Sequence, residues 1–576
     1  MCWKYLFVIW LSTVAFISAQ VKEPLDVVKK IGDRIIYETS FELADAKQKS
    51  AIDVQVVEFE NAIGNKVNNS AFAFSKININ EDTKLNFGIS YSGPFKLWVN
   101  NKLLIQKAKP AKFFFKEIAY GLFTFMDSFS VDLKKGENRI VIESSLKGKP
   151  YIYLREITQS DESVKAKFSS LISNLTSTWP WIFIHSNKLS ATYSQANFLD
   201  SLYSGKFKEN ELFVSPVRDL KKLVISTNST FKKDSFADWN YPNGIMMMTL
   251  LNLAEASGDS RYAEFVNKYC DFVYDNIPLF KKQYFEDHDL RGSFHRIFRK
   301  SMLDDAGSPS FPFIQIAVND NTKRHHSLVN EMTEYVAKRQ IRLSDGTLCR
   351  PEPEEFTVWA DDLFMSVPLL LRAAKIFNDK TYYDDAAKQI INFNKYLFDE
   401  SKKLYKHGWF SKTKEKSKIF WGRANGWIIW AESEALIHLP KSHPAYKQIE
   451  KIFSEHLIGV LSYQDQSGMW HQILDDSTSF EETSCTAMFI TGIVRGIING
   501  TLDASLSDSV LKAWQSLLPK ISSEGIVKDI CCGTGIGYDD NFYKSRVRLD
   551  NDPRGLGAII TAGIEVNGLK KYLTKK

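Results

Sequence analysis

Cysteine is scarce in this chain of 576 residues, which has only six. Cys2 lies in a leader described below, and the other five, Cys270, Cys349, Cys485, Cys531 and Cys532, are odd in number and irregular in spacing. That excludes a disulfide framework. Cys531 and Cys532 are adjacent, an arrangement that seldom bridges to itself, so the five read as buried apolar side chains. No CxxC or HExxH occurs, which leaves a structural zinc site without support, and neither a metal nor a cofactor is expected. Asp539, Asp540, Asp550 and Asp552 lack the alternation of a calcium loop and read as solvated loop charges. Excess charge is also small. A formal net charge of +6, carried by scattered lysines, argues against nucleic acid as a partner while remaining compatible with an anionic substrate. Past the first twenty residues no run reaches the roughly 18 uninterrupted apolar residues of a membrane span.

What is present is ordinary globular composition, with 44% hydrophobic and 25% charged residues in a chain too long for one typical domain. The opening "MCWKYLFVIWLSTVAFISAQ" sets Lys4 before an apolar run that ends in Ser18 and Ala19, the pattern of a signal peptide over residues 1–19. An exported chain, periplasmic or secreted, is therefore expected. Short alternating segments such as "KLNFGISYSG" and "FKLWVNNKLLI" follow, with hairpin turns predicted at Asn100-Asn101 and Lys135-Gly136. They predict an N-terminal β-sandwich over residues 20–160. From about residue 165 to 576 the pattern changes to amphipathic helices punctuated by Gly, Asp and Pro.

Those helices repeat. Trp239, Ala254, Asp259 and Tyr262 recur as Trp359, Ala374, Asp379 and Tyr382, each displaced by 120 positions, and a looser copy follows Trp427. Repeated antiparallel helix pairs form an open solenoid or a closed toroid. Aromatic and acidic residues at the heads of the inner helices favour the toroid, so the expected fold is mainly α, an (α/α)6 barrel preceded by a β-sandwich. Such a barrel gathers those helix heads around one funnel suited to sugars.

Two acidic pairs stand at helix heads, Asp361-Asp362 in "VWADDLFMSVPLLL" and Asp304-Asp305 in "SMLDDAGSPS". A buried charge costs several kcal/mol unless paired, so these aspartates are solvated, paired or used. Each could simply cap its helix. Two such pairs at equivalent positions also supply the two carboxylates that glycosidic chemistry commonly needs.

"TVWADDLFMSVPLL" resembles the catalytic-helix motif of family 105 glycoside hydrolases and of the related family 88, the unsaturated glycuronyl hydrolases. "DWNYPNG", "LYKHGW", "FWGRANGWIIWA", "WHQILDD", "FEETSCTAMFITGIVRGI", "CCGTGIGYDDNFYKSR" and "DPRGLGAIITAGIEV" resemble further motifs of that family in the same order, over roughly residues 235 to 567. The N-terminal sandwich is not covered. Ala424 replaces a glycine of the family pattern and should affect a turn rather than the chemistry.

The resemblance implies removal of a 4,5-unsaturated uronic acid from the non-reducing end of lyase-generated oligosaccharides, by hydration of the C4=C5 double bond rather than attack at the anomeric carbon. It implies Asp361 as the acid and then base, with a pKa raised by apolar neighbours such as Trp359 and Phe364. Asp362 reads as a helix-start residue. The second carboxylate falls on Asp305 or, as the lesser choice, Asp304. His407 and Arg423 match positions facing the unsaturated sugar, with Arg423 suited to holding its carboxylate through paired N–H donors. Trp239, Tyr241, Trp409, Trp421 and Trp427 are candidates for stacking, and His471 for binding. Read singly, the histidines could equally be packed, Arg423 an ordinary ion-pair residue and the tryptophans core. Two other function classes stay open: a polysaccharide lyase on a similar toroid, which would want a Tyr/His or Arg base pair beside an open cleft, and a noncatalytic carbohydrate-binding protein. Rhamnogalacturonan and ulvan are both compatible sources of substrate.

Overall fold

The computed structural model describes residues 23–47, 53–64, 70–119, 121–158, 163–170, 179–185, 212–215, 218–225, 238–319 and 323–575. The predicted leader lies outside the described residues. Two compact units emerge, one comprising Leu43–Lys222 with Pro278–Ser301, the other the chain up to Glu42, Leu223–Ile277 and Met302–Lys576.

The first unit contains a pair of antiparallel sheets. Strands Ser70–Ile79, Phe95–Val99, Lys102–Lys107, Gly136–Ser145, Lys167–Ser169, Ile182–His185 and Phe213–Val214 make one sheet, and Gln55–Glu58, Thr83–Tyr91, Asp127–Leu133 and Tyr151–Glu156 the other. Alternation along the strands buries Ile77, Leu97, Ile140 and Ile142 from the first sheet in one cluster with Phe87, Ile89 and Leu154 from the second. Asn100 and Asn101 both have positive φ, 47° and 67°, as the tight turn between Phe95–Val99 and Lys102–Lys107 requires. Lys135-Gly136 is not a hairpin. Asp127–Leu133 pairs with Thr83–Tyr91, whereas Gly136–Ser145 pairs with Ser70–Ile79 and Phe95–Val99, so this turn passes the chain from one sheet to the other.

Among the described residues the second unit is built on twelve long helices, with short ones between them: α1 Pro24–Glu38, α2 Tyr241–Ser257, α3 Ser260–Phe285, α4 Phe311–Asn319, α5 His326–Glu334, α6 Asp362–Ile376, α7 Thr381–Leu397, α8 Gly422–His438, α9 Tyr446–Leu461, α10 Thr483–Asn499, α11 Ser507–Leu517 and α12 Pro553–Leu573. The even-numbered helices pack in the closed order α2, α4, α6, α8, α10, α12 and back to α2. The odd-numbered ones cover them, giving an (α/α)6 barrel. Inner helices are buried on nearly all sides, and Gly422–Leu436 of α8 is buried without interruption, its polar Arg423, Asn425, Glu432 and Glu434 included. Close approach is bought by glycine: a Cβ on Gly422 would lie 2.8 Å from Cys485 Sγ, and one on Gly426 2.5 Å from Met488 Sδ. Ala424 sits inside this first helical stretch, not at a turn, and is fully buried.

Three boundaries differ from expectation. Helix α1 belongs with the barrel unit, because Val28, Ile31 and Ile35 form a stripe with no exposed surface and α1 packs on α12. Strands continue past residue 160 to Ile225, and α3 is divided at Pro278, beyond which it groups with the sheets. The 120-residue repeat is visible as α2/α3 and α6/α7, where Gly258 and Asn378 both take the left-handed conformation and Asp259 and Asp379 each accept a backbone N–H two residues on. It spans two helix pairs, since α4/α5 intervenes.

Candidate active site

Each of the first five inner helices is followed by an outer return that leads to the next, so all six inner helices start at the same end of the barrel. Asp361 stands immediately before α6, with helical φ and ψ of −56° and −34°, and its side chain makes no capping bond. Asp362 does not serve as a surface cap either. Its carboxylate is fully buried and accepts hydrogen bonds from Arg350 Nε at 2.9 Å and Nη2 at 2.5 Å. Asp304 receives the same guanidinium, at 3.0 Å from Nη2 and 3.3 Å from Nη1. Arg350 thus bridges the two acidic pairs and lies 4.9 Å from the centre of the Trp359 ring.

The short helix Leu303–Ala306 decides between Asp304 and Asp305. Successive helical residues point about 100° apart, so only one of the two can face the funnel. Asp304 keeps 13% of its side chain exposed beside Arg350, whereas Asp305 has no exposed surface and its carbonyl accepts the Trp239 indole N–H at 2.6 Å. The structure corrects the order of preference in favour of Asp304.

Asp361 meets His407. Its Oδ2 lies 3.2 Å from Nε2, within ion-pair distance but without hydrogen-bond geometry, and neither of these buried atoms has a hydrogen-bond partner. On the other side of the ring, His407 Nδ1 is 2.7 Å from the Tyr543 hydroxyl, which also accepts the Gly537 N–H at 3.0 Å. In the tautomer in which the phenol donates its own proton to Nδ1, the Nε2–H is turned toward Asp361. Trp359 and Trp421 flank the imidazole at 5.5 and 4.6 Å between ring centres. Burial by itself pushes the Asp361 carboxyl up, but His407, then Arg350 and Arg423, outweigh it and hold the group below the ordinary carboxylate value. The expected rise is absent because the expectation counted the apolar neighbours and not the cations. Asp362 is the one pushed up, to about 6, by burial against the pull of Arg350.

Arg423 donates from both ends of its fork to the backbone. Nη1 and Nη2 each donate at 2.6 Å, to the carbonyls of Cys531 and Cys532, and the guanidinium lies 4.8 Å from the Trp421 ring centre. The paired donors that the sequence reading assigned to a substrate carboxylate lie on the loop 531–538 in this structure. Glu482 fixes the same loop by accepting the Cys531 N–H at 3.0 Å while capping α10 through Ser484 and Cys485. The loop's Gly535 then comes 3.9 Å from Trp359, and Ile536 packs where Gly408 has no side chain. Asp552, read from sequence as a solvated charge, is buried and caps α12.

The aromatic candidates divide. Trp239, Trp421 and Trp427 are buried wall residues: Trp239 packs on Phe313, the Trp421 N–H donates to Gln472, and Trp427 stacks on Phe364 and Trp430. Trp409 packs against Tyr396 with Lys414 over its ring. None of the three wall residues offers a free face to a sugar. Tyr241 and Trp359 are partly exposed at the helix heads, and the Tyr241 phenol, pushed up by burial, lies in the fields of Arg554, Arg423, Asp304 and Asp361. His471 stands apart, its ring nitrogens on the Ser479 carbonyl and Asp465. Arg350 and Tyr543 were not singled out from sequence, although Tyr543 lies in "CCGTGIGYDDNFYKSR". Among the described residues all five cysteines are free thiols, no group of three or more His, Cys, Asp or Glu could hold a metal ion, and no helix is long and apolar enough to cross a membrane.

Residues 220–570 match the family described as glycosyl hydrolase family 88. Over 252 residues the chain is 30% identical to the unsaturated rhamnogalacturonyl hydrolase YesR of Bacillus subtilis (strain 168), covering 42% of this chain and 71% of that relative. It is 27% identical over 214 residues to an unsaturated 3S-rhamnoglycuronyl hydrolase of Alteromonas sp. (strain LOR), covering 36% of this chain and 50% of that one. Among solved structures, a family 105 glycoside hydrolase of C. acetobutylicum ATCC 824 superposes with a TM-score of 0.51 at 21% identity, over 58% of this chain and 95% of the other. A possible family 105 member from Klebsiella pneumoniae gives 0.50 at 21% identity, over 64% and 89%. These two likenesses concern the fold alone.

Proposed function

The chain belongs to glycosyl hydrolase family 88, and from that premise we propose that it removes a 4,5-unsaturated uronic acid from the non-reducing end of lyase-generated oligosaccharides. The observation that carries this reading is the Asp361 carboxylate, 17% exposed, whose buried Oδ2 faces His407 Nε2 at 3.2 Å with no hydrogen-bond partner at either atom, beside partly exposed Tyr241 and Trp359. A partly exposed carboxylate whose acceptor positions are not filled by hydrogen bonds is available to a substrate.

The Asp361 carboxylic acid protonates C4 of the vinyl ether, and positive charge develops at C5. Water adds at C5 and gives up a proton to the Asp361 carboxylate, which restores the acid. The product is a hemiketal, which opens and releases the neighbouring sugar as its alcohol. His407 orients Asp361, Tyr543 orients His407, and Asp304, held by Arg350 and 13% exposed, accepts hydroxyl hydrogen bonds from the sugar. Because Asp361 is held low in the free protein, it gains its proton as the uronate enters: an added negative charge and loss of water both favour the neutral acid.

Two relatives supply the substrate classes, unsaturated rhamnogalacturonyl and unsaturated 3S-rhamnoglycuronyl oligosaccharides. The test incubates the purified chain with lyase digests of rhamnogalacturonan and of ulvan and follows the ultraviolet absorbance of the conjugated double bond. Loss of absorbance with release of a saturated sugar is expected in one pool. A gain would mark a lyase, and no change in either a noncatalytic binder. The apolar leader supports an exported chain, which cell fractionation with sequencing of the mature terminus would test.

A further inference from the structure

The proposed substrate carries a carboxylate on C5, next to the carbons that Asp361 serves, so a cation must stand beside that acid. Arg423 has placed both η nitrogens on backbone carbonyls, and Arg350 is shared between Asp304 and Asp362. A third guanidinium stands at the same end of the barrel. Arg554 is the second residue of α12, with its backbone N–H and Nε held by Asp552 Oδ1 at 3.0 and 2.8 Å. That contact fixes the direction of the side chain and leaves the fork unused: among the described residues the two η nitrogens donate no hydrogen bond, and 17% of the side chain is exposed. Nη1 occupies space that only glycine leaves open, since a Cβ on Gly533 would lie 2.3 Å from it. Tyr241 links this fork to the acid. Burial raises its phenol pKa, Arg554 is the cation that opposes the rise most, and Asp361 acts on the same group.

We propose that Arg554, through Nη1 and Nη2, receives the carboxylate of the terminal unsaturated uronyl residue and selects acidic over uncharged substrates. This rests on the hydrolase reading above. A planar fork with two parallel N–H donors matches a carboxylate, and Asp552 has already restricted the side chain that presents it. Arg423 then shapes the loop around this subsite and does not fill it.

The experiment uses the full chain, the unsaturated disaccharide released by the productive lyase, and its C6 methyl ester. The wild type should favour the acid over the ester. Arg554→Met should raise KM for the acid at least tenfold, change kcat by less than about threefold, and bring the acid-to-ester ratio of kcat/KM close to one. Gly533→Ala, which keeps the charge but crowds Nη1, should raise KM for the acid by a smaller factor. It also keeps the test open should the Met variant fail to fold. A Met variant that folds and retains the wild-type preference for the acid overturns the assignment, as does a Gly533→Ala variant with unchanged KM. A wild type that consumes no chromophore from either digest fails the hydrolase reading and takes this inference with it. Turnover by the wild type with preference retained in Arg554→Met fails the inference alone.

Discussion

At the scale of single residues, Asp361 is defined by what surrounds it. Replacing it with Asn keeps the shape while removing the proton that C4 needs and the base that water needs, so Asp361→Asn should lower kcat by well over tenfold with thermal stability little changed. A variant that keeps more than about a tenth of the rate, a barrier change below ~1.4 kcal/mol, would show that the acid lies elsewhere. The lowered pKa has a direction in activity. A carboxyl titrating below its usual value is ionised over a wider pH range, so kcat/KM, which reports the free enzyme, should fall with rising pH from within or below the carboxylate range. In the complex the uronate charge keeps the proton on, so kcat should fall only at higher pH. His407→Gln removes the strongest influence that favours the anion and should move the kcat/KM limb upward; coincident limbs in the wild type would contradict this account. Arg423→Lys belongs to stability. A single ammonium cannot meet two carbonyls in the Arg geometry, and the carbonyl left unsatisfied costs ~1–3 kcal/mol. The variant should melt earlier, with a KM change smaller than that of Arg554→Met. The acids were legible because they sit together in short motifs. Arg350 was not, since it meets Asp304 across 46 positions, nor was Tyr543, which meets His407 across 136.

At the scale of elements, glycine tells where the barrel is tight. Gly307 has ordinary φ, −74°, so its role is not conformational freedom; a Cβ there would fall 1.8 Å from the Met365 carbonyl of α6. Gly307→Ala must push α6 away from the turn that follows Asp304 and Asp305. Overpacking of this kind costs ~1–3 kcal/mol and should lower the melting temperature while disturbing the Asp304–Arg350–Asp362 bridge. Gly500→Ala is the control. Its φ of 85° strains any L side chain, but no atom lies within 4 Å of the new Cβ and the position is remote from the helix heads, so it should cost stability without altering KM. A Gly307→Ala variant as stable and active as the wild type would show that α6 is not held as the structure has it. The helix pairs could be read from their apolar periodicity and their GD and ND breaks. The partner of Gly136–Ser145 could not, because alternation states which face a strand buries and not which sheet it joins.

At the scale of the whole molecule, the inner ring is assembled from one continuous stretch of chain, but the outer ring is not. Helix α1 comes from the far N-terminal side of the sheet domain, more than 200 residues before α2, and packs on α12 at the other end of the sequence. Its four buried aliphatics look from the sequence like any short amphipathic helix, which is why the region was grouped with the strands beside it. The motif resemblance begins near residue 235 and says nothing about what precedes it. A barrel beginning near Ser160 would therefore lack its twelfth helix, not merely a neighbouring domain. Val28 fills the space over Gly563 of α12, and Gly32 lets α1 approach Leu253 and Tyr262. Exposing each of Val28, Ile31 and Ile35 forfeits ~1.5–3 kcal/mol of burial, a large share of the stability of an ordinary domain. Deleting residues 1–39 while retaining the sheets should thus depress soluble yield and melting temperature nearly as much as starting at Ser160. The smaller deletion separates the two causes. If the chain lacking only 1–39 melts like the wild type while the chain starting at Ser160 does not fold, the sheets brace the barrel and α1 is dispensable; equal damage assigns the dependence to the helix.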